Sequence, residues 1–306
     1  MTARKKLGDE LYTLYRLTKR PLLIFLKDTA AVFFSILAPL IILLLYVLFL
    51  GDVQINSIKA SLPPDFSVDE SLVRAFVDSW MLSGVMSVSC ITVSLSANTV
   101  MVQDKERGFN KEILASPVSK GLVTIGYFLY NLVVTVFICT IVYAICLIYL
   151  AASGGFYLTA AKCLETYGII LLSCLSSTLI TVFVAGFFKT NSAFSAFVGI
   201  VSAVIGFIIG AYMPTSMFPD AIQSVICFFP GSYSAALFRN SLMSGAFDKL
   251  GEILPAEFTK GLADSFSMKL DFFGHEIGVG VMYAVLAASA VLFLLINLIV
   301  SRFKKF

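Results

Sequence analysis

The sequence predicts an all-α integral membrane protein with six transmembrane helices. Hydrophobic residues make up 58% of the 306 residues and charged residues 13%, whereas soluble domains average about 25% charged residues. The apolar residues are concentrated in runs of about twenty, the length that an α-helix needs to cross the hydrocarbon core of a bilayer. Lysine and arginine are divided unevenly between the segments that join these runs, which indicates how the helices are oriented.

Six apolar runs have the length of a transmembrane helix, and polar or charged residues separate each run from the next. In chain order they occupy residues 29–50, 80–101, 122–150, 167–188, 192–212 and 277–300. Pro39 lies within the first run, where neighbouring helices are expected to satisfy the carbonyl group that a proline leaves unbonded. Trp80 opens the second run and is typical of a side chain that anchors a helix at the membrane surface.

Residues 1–28 form a basic segment whose apolar side chains, among them Leu11, Leu14 and Leu22, recur at helical spacing. The pattern predicts an amphipathic helix that lies in the plane of the membrane surface, with a bend at Pro21. A signal peptide is the disfavoured alternative, because the apolar run that follows is too long and lacks a cleavage site of small residues.

The distribution of charge predicts the orientation of the spans. With the N-terminus inside, the inner segments hold 15 of the 22 lysine and arginine residues and the outer segments hold 7. The acidic residues show the opposite bias, with 6 inside and 13 outside. Because an excess of lysine and arginine marks the cytoplasmic side, both termini and the charged loop at residues 102–121 are predicted to be cytoplasmic.

The long connection at residues 213–276 is predicted to lie on the outer side, and it is not uniformly polar. Its apolar stretch is broken at Pro230-Gly231, and each arm is too short to cross the bilayer. We therefore expect a re-entrant or interfacial helical hairpin, with a seventh span as the alternative. Arg239 in this stretch is expected to reach an acidic side chain or the lipid head groups, because an unpaired buried charge is costly.

Several classes of site are disfavoured by the composition. The single histidine, His275, excludes a multi-histidine metal site, and the six cysteines have no CxxC motif or regular spacing. They are interpreted as buried small hydrophobic residues, so neither a metal site nor a disulfide is predicted. No nucleophile–base pairing is recognisable, so no catalytic residue is predicted. The net charge of +3 is too small to indicate a nucleic-acid partner.

The spans also lack a recognisable source of energy. Within the bounds given above they contain no Asp, Glu, Lys, Arg or His, whereas proton- and sodium-coupled transporters generally keep such groups inside the membrane. The chain has no GxxxxGK[ST] phosphate loop with which to bind ATP. A membrane protein of this kind is expected to be driven by a separate partner, and residues 102–121 offer the charged surface for it.

This segment, VQDKERGFNKEILASPVSKG, resembles the cytoplasmic segment of ABC transporter permeases of the type-2 family. In that family a charged cluster precedes a glycine, and a Ser/Thr-Pro pair and a basic residue follow. The corresponding residues here are Asp104-Lys105-Glu106, Gly108, Ser116-Pro117 and Lys120. Many members carry Thr-Leu-Glu after the glycine, whereas this chain has Phe109-Asn110-Lys111 and then Glu112. The charge that contacts the ATPase is therefore open between Lys111 and Glu112.

The resemblance extends over nearly the whole chain. It includes FFSILAPLIILLLYVLFLGD in the first run and FPDAIQSVICFFPGSYSAALFRNSLM before the last run. It implies an interface helix at residues 1–28 and a single transmembrane domain at residues 29–306. It also implies a dimer with a second permease copy or a homologue, bound to separate ABC ATPase subunits that hold ATP and magnesium, with no cofactor on this chain.

In such a complex the loop at residues 102–121 acts as a coupling helix that is seated in a groove of the ATPase. The resemblance carries this role to particular positions of the loop. The implied coupling residues are Asp104, Glu106, Arg107, Gly108, Lys111, Glu112 and Pro117.

Small and polar residues in two runs are candidates for a transport pathway or a dimer contact. They are Ser87, Ser94 and Asn98 in the second run, and Ser202, Gly206 and Gly210 in the fifth. The first set falls roughly on one helix face that could line a route for cargo, although such residues more often form hydrogen bonds within the subunit. The second set, at four-residue steps, permits close helix approach either across a dimer or within one subunit.

The chain is therefore identified as a member of the type-2 permeases and predicted to be the permease subunit of an ATP-driven exporter. The expected cargo is an amphipathic small molecule, a peptide or a lipid-linked molecule, and the direction rests on the resemblance. We expect a multi-pass protein of the cell membrane, in contact with membrane lipids. The membrane is expected to be a prokaryotic plasma membrane. One alternative is a non-transporting scaffold or sensor partner of an ATPase. A second, an intramembrane enzyme, is disfavoured because the spans lack paired catalytic groups.

Overall fold

The computed structural model of the protein describes residues 3–61, 68–115 and 118–303. Within these residues, six helices are long and apolar enough to cross a membrane. They are Thr29–Ser61, Glu70–Glu106, Lys120–Ala152, Ala160–Ala185, Asn191–Ile208 and Val279–Ser301, and we refer to them as spans 1 to 6. The prediction of an all-α membrane protein with six spans is confirmed.

A long helix, Ala3–Lys27, precedes span 1 and continues through Pro21. We refer to it as the interface helix. Asp28 separates it from span 1, and the Asp28 carboxylate accepts a hydrogen bond of 3.0 Å from the backbone amide of Ala31. A side chain that accepts from the first turn in this way stabilises a helix start, so the chain ends one helix and begins the next within a single residue.

Spans 1 and 2 are longer than the apolar runs that predicted them. Span 1 passes through a π-helical turn at Tyr46–Leu50 and continues to Ser61, so at 1.5 Å per residue it measures about 50 Å. The hydrocarbon core of a bilayer is only about 30 Å thick. Span 2 consists of Glu70–Ala97 and Thr99–Glu106. Much of the region predicted as an outer loop is therefore helical.

The longer span 2 includes an acidic residue that the predicted bounds had excluded. Asp78 is buried, and its carboxylate accepts a hydrogen bond of 3.2 Å from the hydroxyl of Tyr149 in span 3. The apolar runs therefore contain no ionisable residue, but the longer helices that include these runs do.

Span 2 lies at the centre of the protein. It packs against spans 3 and 4 and against the helix Pro230–Leu242, and its side chains are buried along most of its length. Spans 1 and 5 are peripheral, since each makes its main contacts with span 2. Both expose large apolar side chains, such as Phe34 in span 1 and Ile200 in span 5.

The connection between spans 5 and 6 is folded into short elements. They are the 3₁₀ turn Thr215–Met217, the helices Asp220–Ile226, Pro230–Leu242, Ser244–Ile253 and Ala256–Ser265, and the strands Leu270–Phe272 and His275–Ile277. The first two helices are separated just before Pro230, near the predicted break, and each is too short to cross the bilayer, while the re-entrant or interfacial hairpin stays a prediction. The two strands pair antiparallel, with Asp271 opposite Glu276. This β-hairpin was not predicted.

Trp80 bonds this connection to span 2, and Arg239 bonds one part of the connection to another and to the end of span 5. The expectations for both residues were wrong. Trp80 is buried, and its indole N–H donates a hydrogen bond of 3.1 Å to the carbonyl of Phe266, so its ring is enclosed by the protein and is not exposed as a membrane anchor would be. Arg239 is fully buried and donates to the backbone carbonyls of Ser267 and Gly210, with neither an acid nor a head group as its partner. Burial lowers the pKa of Arg239 to about 10, which still leaves it charged at neutral pH.

Candidate functional site

The charged segment, residues 102–121, begins inside a helix. Span 2 continues to Glu106, and Arg107 and Gly108 then turn the chain. Gly108 has a φ of 78°, in the left-handed region that favours glycine. The short helix Phe109–Ala115 follows this turn. The part of the segment up to Ala115 is therefore the end of span 2 joined to a small helix.

Asp104 connects the charged segment to the interface helix and to span 3. Its carboxylate accepts two hydrogen bonds from the Arg20 guanidinium, at 2.6 and 3.0 Å, and a third of 2.7 Å from the Tyr127 hydroxyl. The hydrogen bond to Asp104 is the main reason that the pKa of Arg20 is raised above its usual value. Asp104 is only 4% exposed, and a two-point charged pair of this kind is among the stronger hydrogen-bonding arrangements in proteins.

The same arginine contacts the short helix. The Arg20 guanidinium lies over the ring of Phe109, 3.6 Å from its centroid, which is a cation–π contact. Phe109 and Ile113 line an open pocket of about 540 Å³ between the short helix, the interface helix and span 3, and basic side chains of the interface helix form part of its wall. The short helix is therefore positioned by the interface helix as well as by span 2.

The two residues that follow Asp104 contact spans 4 and 5. The Lys105 ammonium donates a hydrogen bond of 2.8 Å to the carbonyl of Gly186, at the end of span 4. The Glu106 carboxylate accepts one of 3.0 Å from the backbone amide of Asn191, the first residue of span 5. Acidic groups are favourable at helix N-termini, where the backbone amides lack partners within the helix. Three consecutive residues thus join the end of span 2 to four other elements.

The predicted coupling residues divide into inward and outward groups. Asp104 is buried in the contacts described above, whereas Glu106, Arg107 and Glu112 are exposed. Lys111 belongs to the short helix, but its side chain lies outside the described part of the chain, as does all of Pro117. Among the described coupling candidates, Arg107 and Glu112 therefore have exposed charged side chains that take no part in the contacts of Asp104, Lys105 and Glu106.

A groove of about 290 Å³ lies between the interface helix and spans 1, 2 and 5. It extends along span 2 from Val88 to Gln103, that is, from the middle of the span to the charged segment. Apolar side chains make up most of its wall. The polar side chains that line it are Asp28, Ser35, Thr92, Ser96, Thr99, Gln103 and Ser202. A groove with this composition suits a molecule that has both apolar and polar parts.

The polar residues proposed in span 2 are packed inside the subunit and do not line this groove. Ser87 donates to the carbonyl of Gly231 at 3.2 Å, and Ser94 lies 2.5 Å from the hydroxyl of Thr181. Asn98 donates to the carbonyl of Ser94 at 3.0 Å, and all three residues are buried. The hydroxyl groups of Ser87 and Ser94 therefore join span 2 to the helix Pro230–Leu242 and to span 4, whereas the Asn98 amide bonds within span 2.

The small residues proposed in span 5 do not form one continuous stripe. Ser202 lines the groove, and Gly206 is buried beside Tyr212. The helix ends at Ile208, so Gly210 lies beyond it with a φ of 69°. A helical stripe that includes Gly210 was wrong, because the chain has already turned there to place the Gly210 carbonyl against Arg239.

The partners of the charged segment could not be recognised from the sequence. Arg20 lies 84 residues from Asp104, and Tyr127 lies 23 residues from it. Arg20 was counted only as one of several basic residues, and Tyr127 belonged to an apolar run. Neither position has a local pattern that distinguishes a buried ion pair from a solvent-exposed charge or a lipid-facing phenol.

Metal-binding potential lies elsewhere in the protein. Among the residues that the structure describes, neither the charged segment nor the groove brings three His, Cys, Asp or Glu side chains close enough to share an ion. The group that meets this condition is formed by Cys90, Cys139 and Cys174 in the core of spans 2, 3 and 4.

Comparison with known families matches residues 51–299 to the ABC-2 family transporter protein model. The matched region extends from the end of the π-helical turn in span 1 into span 6 and includes the whole charged segment. No curated protein matches the chain. The family supplies a membrane permease subunit of ABC transporters, in agreement with the multi-pass helical fold. The chain belongs to the ABC-2 family of transporter proteins.

Proposed function

We propose that this chain is the permease of an ATP-driven exporter and that the short helix Phe109–Ala115 receives the movement of a separate ATPase subunit. The observation that carries the proposal is the set of contacts made by three successive residues, Asp104, Lys105 and Glu106. A force applied to the short helix would reach the interface helix and spans 2, 3, 4 and 5 together.

Span 2 is suited to transmit such a force over a distance. It is helical from Glu70 to Glu106, with Asn98 joining its two parts. At its far end Trp80 is bonded to the connection between spans 5 and 6. A rotation of span 2 at the charged segment would therefore also displace the connection between spans 5 and 6.

The groove is the proposed place where cargo enters. Its apolar wall and its polar residues, such as Thr92, Ser96 and Ser202, fit an amphipathic small molecule, a peptide or a lipid-linked molecule. Spans 1 and 5, which flank the groove, expose apolar faces toward lipid or toward a second permease. In this proposal a second copy or a homologue packs against these faces and completes the pathway.

The proposed orientation places the charged segment in the cytoplasm, as the excess of lysine and arginine predicts. The ATPase subunit supplies the nucleotide site, with ATP and magnesium bound there. The role of this chain is then to bind the ATPase, to hold the cargo and to change shape.

A charge reversal at Glu112 tests the coupling role. Glu112 is exposed on the short helix, so Glu112→Arg should leave the fold intact and weaken binding of the ATPase at least tenfold, with loss of permease-stimulated ATP hydrolysis. Glu10→Arg, at an exposed position of the interface helix, is the matched control. The measurement is co-purification of the two subunits together with the ATPase rate in proteoliposomes. Normal ATPase binding and normal ATP hydrolysis in the double variant Glu112→Arg/Arg107→Glu would refute a coupling role for the short helix.

The same proteoliposomes distinguish a transporter from a scaffold. A fluorescent amphipathic cargo should move across the bilayer only when both subunits and ATP are present. Binding of the ATPase without any ATP-dependent movement across a panel of such cargoes would favour the alternative of a non-transporting partner.

A further inference from the structure

Three of the six cysteines meet at one point in the core. Cys90 belongs to span 2, Cys139 to span 3 and Cys174 to span 4, and all three are fully buried. The sulfur of Cys90 lies 3.9 Å from that of Cys139 and 3.8 Å from that of Cys174, and all three sulfurs lie within 4.8 Å of one another. The three thiols therefore form a small triangle that joins the central spans.

The size of this triangle matches a metal site. For sulfurs separated by these distances, a point equidistant from all three lies about 2.2–2.5 Å from each, which brackets the length of a bond between zinc and a thiolate sulfur. A disulfide requires two sulfurs at only about 2.05 Å and would leave the third thiol unpaired. The present spacing suits three reduced sulfurs around one ion without a rearrangement of the helices.

The ligand set also limits which metal would bind. Thiolates are soft ligands that select copper(I), zinc or iron–sulfur clusters, and structural zinc sites are almost always completed by four protein ligands. Among the described residues the group consists of three cysteines without a histidine or carboxylate. A three-sulfur site of this size thus favours copper(I), which accepts threefold sulfur coordination.

We propose that Cys90, Cys139 and Cys174 form a buried copper(I) site that ties spans 2, 3 and 4 together. On binding, Cu⁺ replaces the protons of two thiols, which leave as two H⁺, and the third thiol coordinates with its proton retained. The complex then carries one negative charge, whereas three thiolates around Cu⁺ would carry two. The smaller charge is favoured because each unpaired charge is costly in an apolar core. No electron is transferred. Because the thiols are closed off from solvent, the site fills while the helices assemble or when the core opens locally.

The test compares two variants that lose equal numbers of thiols. One carries serine at Cys90, Cys139 and Cys174, and the other carries serine at Cys146, Cys163 and Cys227. Copper is supplied during expression and again, as Cu(I) under anaerobic conditions, to the purified full chain. After challenge with the chelator bathocuproine disulfonate, the native protein and the second variant should each retain a stoichiometric copper ion, and the first variant should retain none. X-ray absorption should then show three sulfur neighbours.

A second measurement guards against loss of folding in the triple variant. Copper should raise the unfolding temperature of the native protein and of the second variant, because a ligand that binds only the folded state stabilises it. The single substitution Cys139→Ala, in a protein that still elutes as a folded species, should abolish both the retained copper and this rise. Equal copper retention in both triple variants, no retained copper in the native protein, or a preference for zinc over copper would each overturn the proposal.

Discussion

The carboxylate of Glu106 accepts a hydrogen bond from the backbone amide of Asn191, so the last turn of span 2 caps the first turn of span 5. Further along span 2, Gly84 lies against Ala211, just after the end of span 5, so closely that a Cβ on Gly84 would be 2.6 Å from the Ala211 carbonyl oxygen. Between these two contacts lies the groove, with Ser202 on its span 5 wall. Widening the groove therefore requires at least one of these two contacts to break.

The contact at the charged segment is tested by Glu106→Gln. Glutamine keeps the length of the side chain but removes the charge that favours a helix N-terminus, so the start of span 5 should be destabilised by about 0.5–1 kcal/mol. Hydrogen exchange at Asn191 and its neighbours should become faster, while exchange in span 3 stays unchanged. Glu112→Gln, on the exposed side of the short helix, is the control. Equal protection of Asn191 in the native protein and in Glu106→Gln would show that the cap does not hold span 5.

The contact between Gly84 and Ala211 is tested by Gly84→Ala. The added methyl group would collide with the backbone of Ala211, which cannot move aside as a flexible side chain can, so we expect a loss of about 1–3 kcal/mol in the free energy of unfolding. Gly168→Ala is the matched control, because that glycine is exposed on span 4 with no atom near the position of a Cβ. The measurement is unfolding in detergent by denaturant. A loss of similar size in both variants would contradict a specific contact between Gly84 and Ala211.

The ion pair between Arg20 and Asp104 should be worth more than an ordinary surface pair, because Asp104 is almost entirely shielded from solvent. The Arg20 side chain is still 39% exposed, so we expect a coupling energy of about 2 kcal/mol, below the cost of breaking a fully buried pair. A double-mutant cycle with Arg20→Ala and Asp104→Ala measures it. Tyr127→Phe removes one hydrogen bond to the same carboxylate and should cost about 1 kcal/mol. A coupling energy near zero would mean that the interface helix is held by apolar packing alone.

The sequence predicted the number of spans correctly because hydropathy reports directly on burial in lipid. The helices extend beyond the apolar runs for a related reason. Residues 51–61 and 70–79 are polar enough to leave the membrane, but they remain helical because the spans continue into water or pack against other parts of the protein. Hydropathy is sensitive to the solvent around a helix, whereas the continuation of the helix depends on backbone hydrogen bonds.

The sequence located the charged segment but not the contacts of its residues, and the coupling role stays a prediction. The charged segment was identified from its composition and its resemblance to a family, yet the same pattern assigned Asp104 and Glu112 to one role. The structure separates them, because the partners of Asp104 come from residues 20 and 127, far from it along the chain. The convergence of Cys90, Cys139 and Cys174 was missed for the same reason, since it depends on which helix faces meet in the core.

Span 5 offers an exposed surface on which a second permease copy can be tested. Gly199 is exposed on span 5, and among the described residues no atom outside the neighbouring backbone of its own helix lies within 4 Å of the position that a Cβ would occupy there. Gly199→Leu should therefore fold normally, but it should weaken the association of two permeases if span 5 packs closely against a second copy, because small residues allow helix backbones to approach. Gly168→Leu places the same side chain at an equally open, exposed position of span 4 and should leave association unchanged. Energy transfer between labelled copies in proteoliposomes measures the difference. Equal association in both variants would direct the search for the dimer contact away from span 5 and toward the exposed face of span 1.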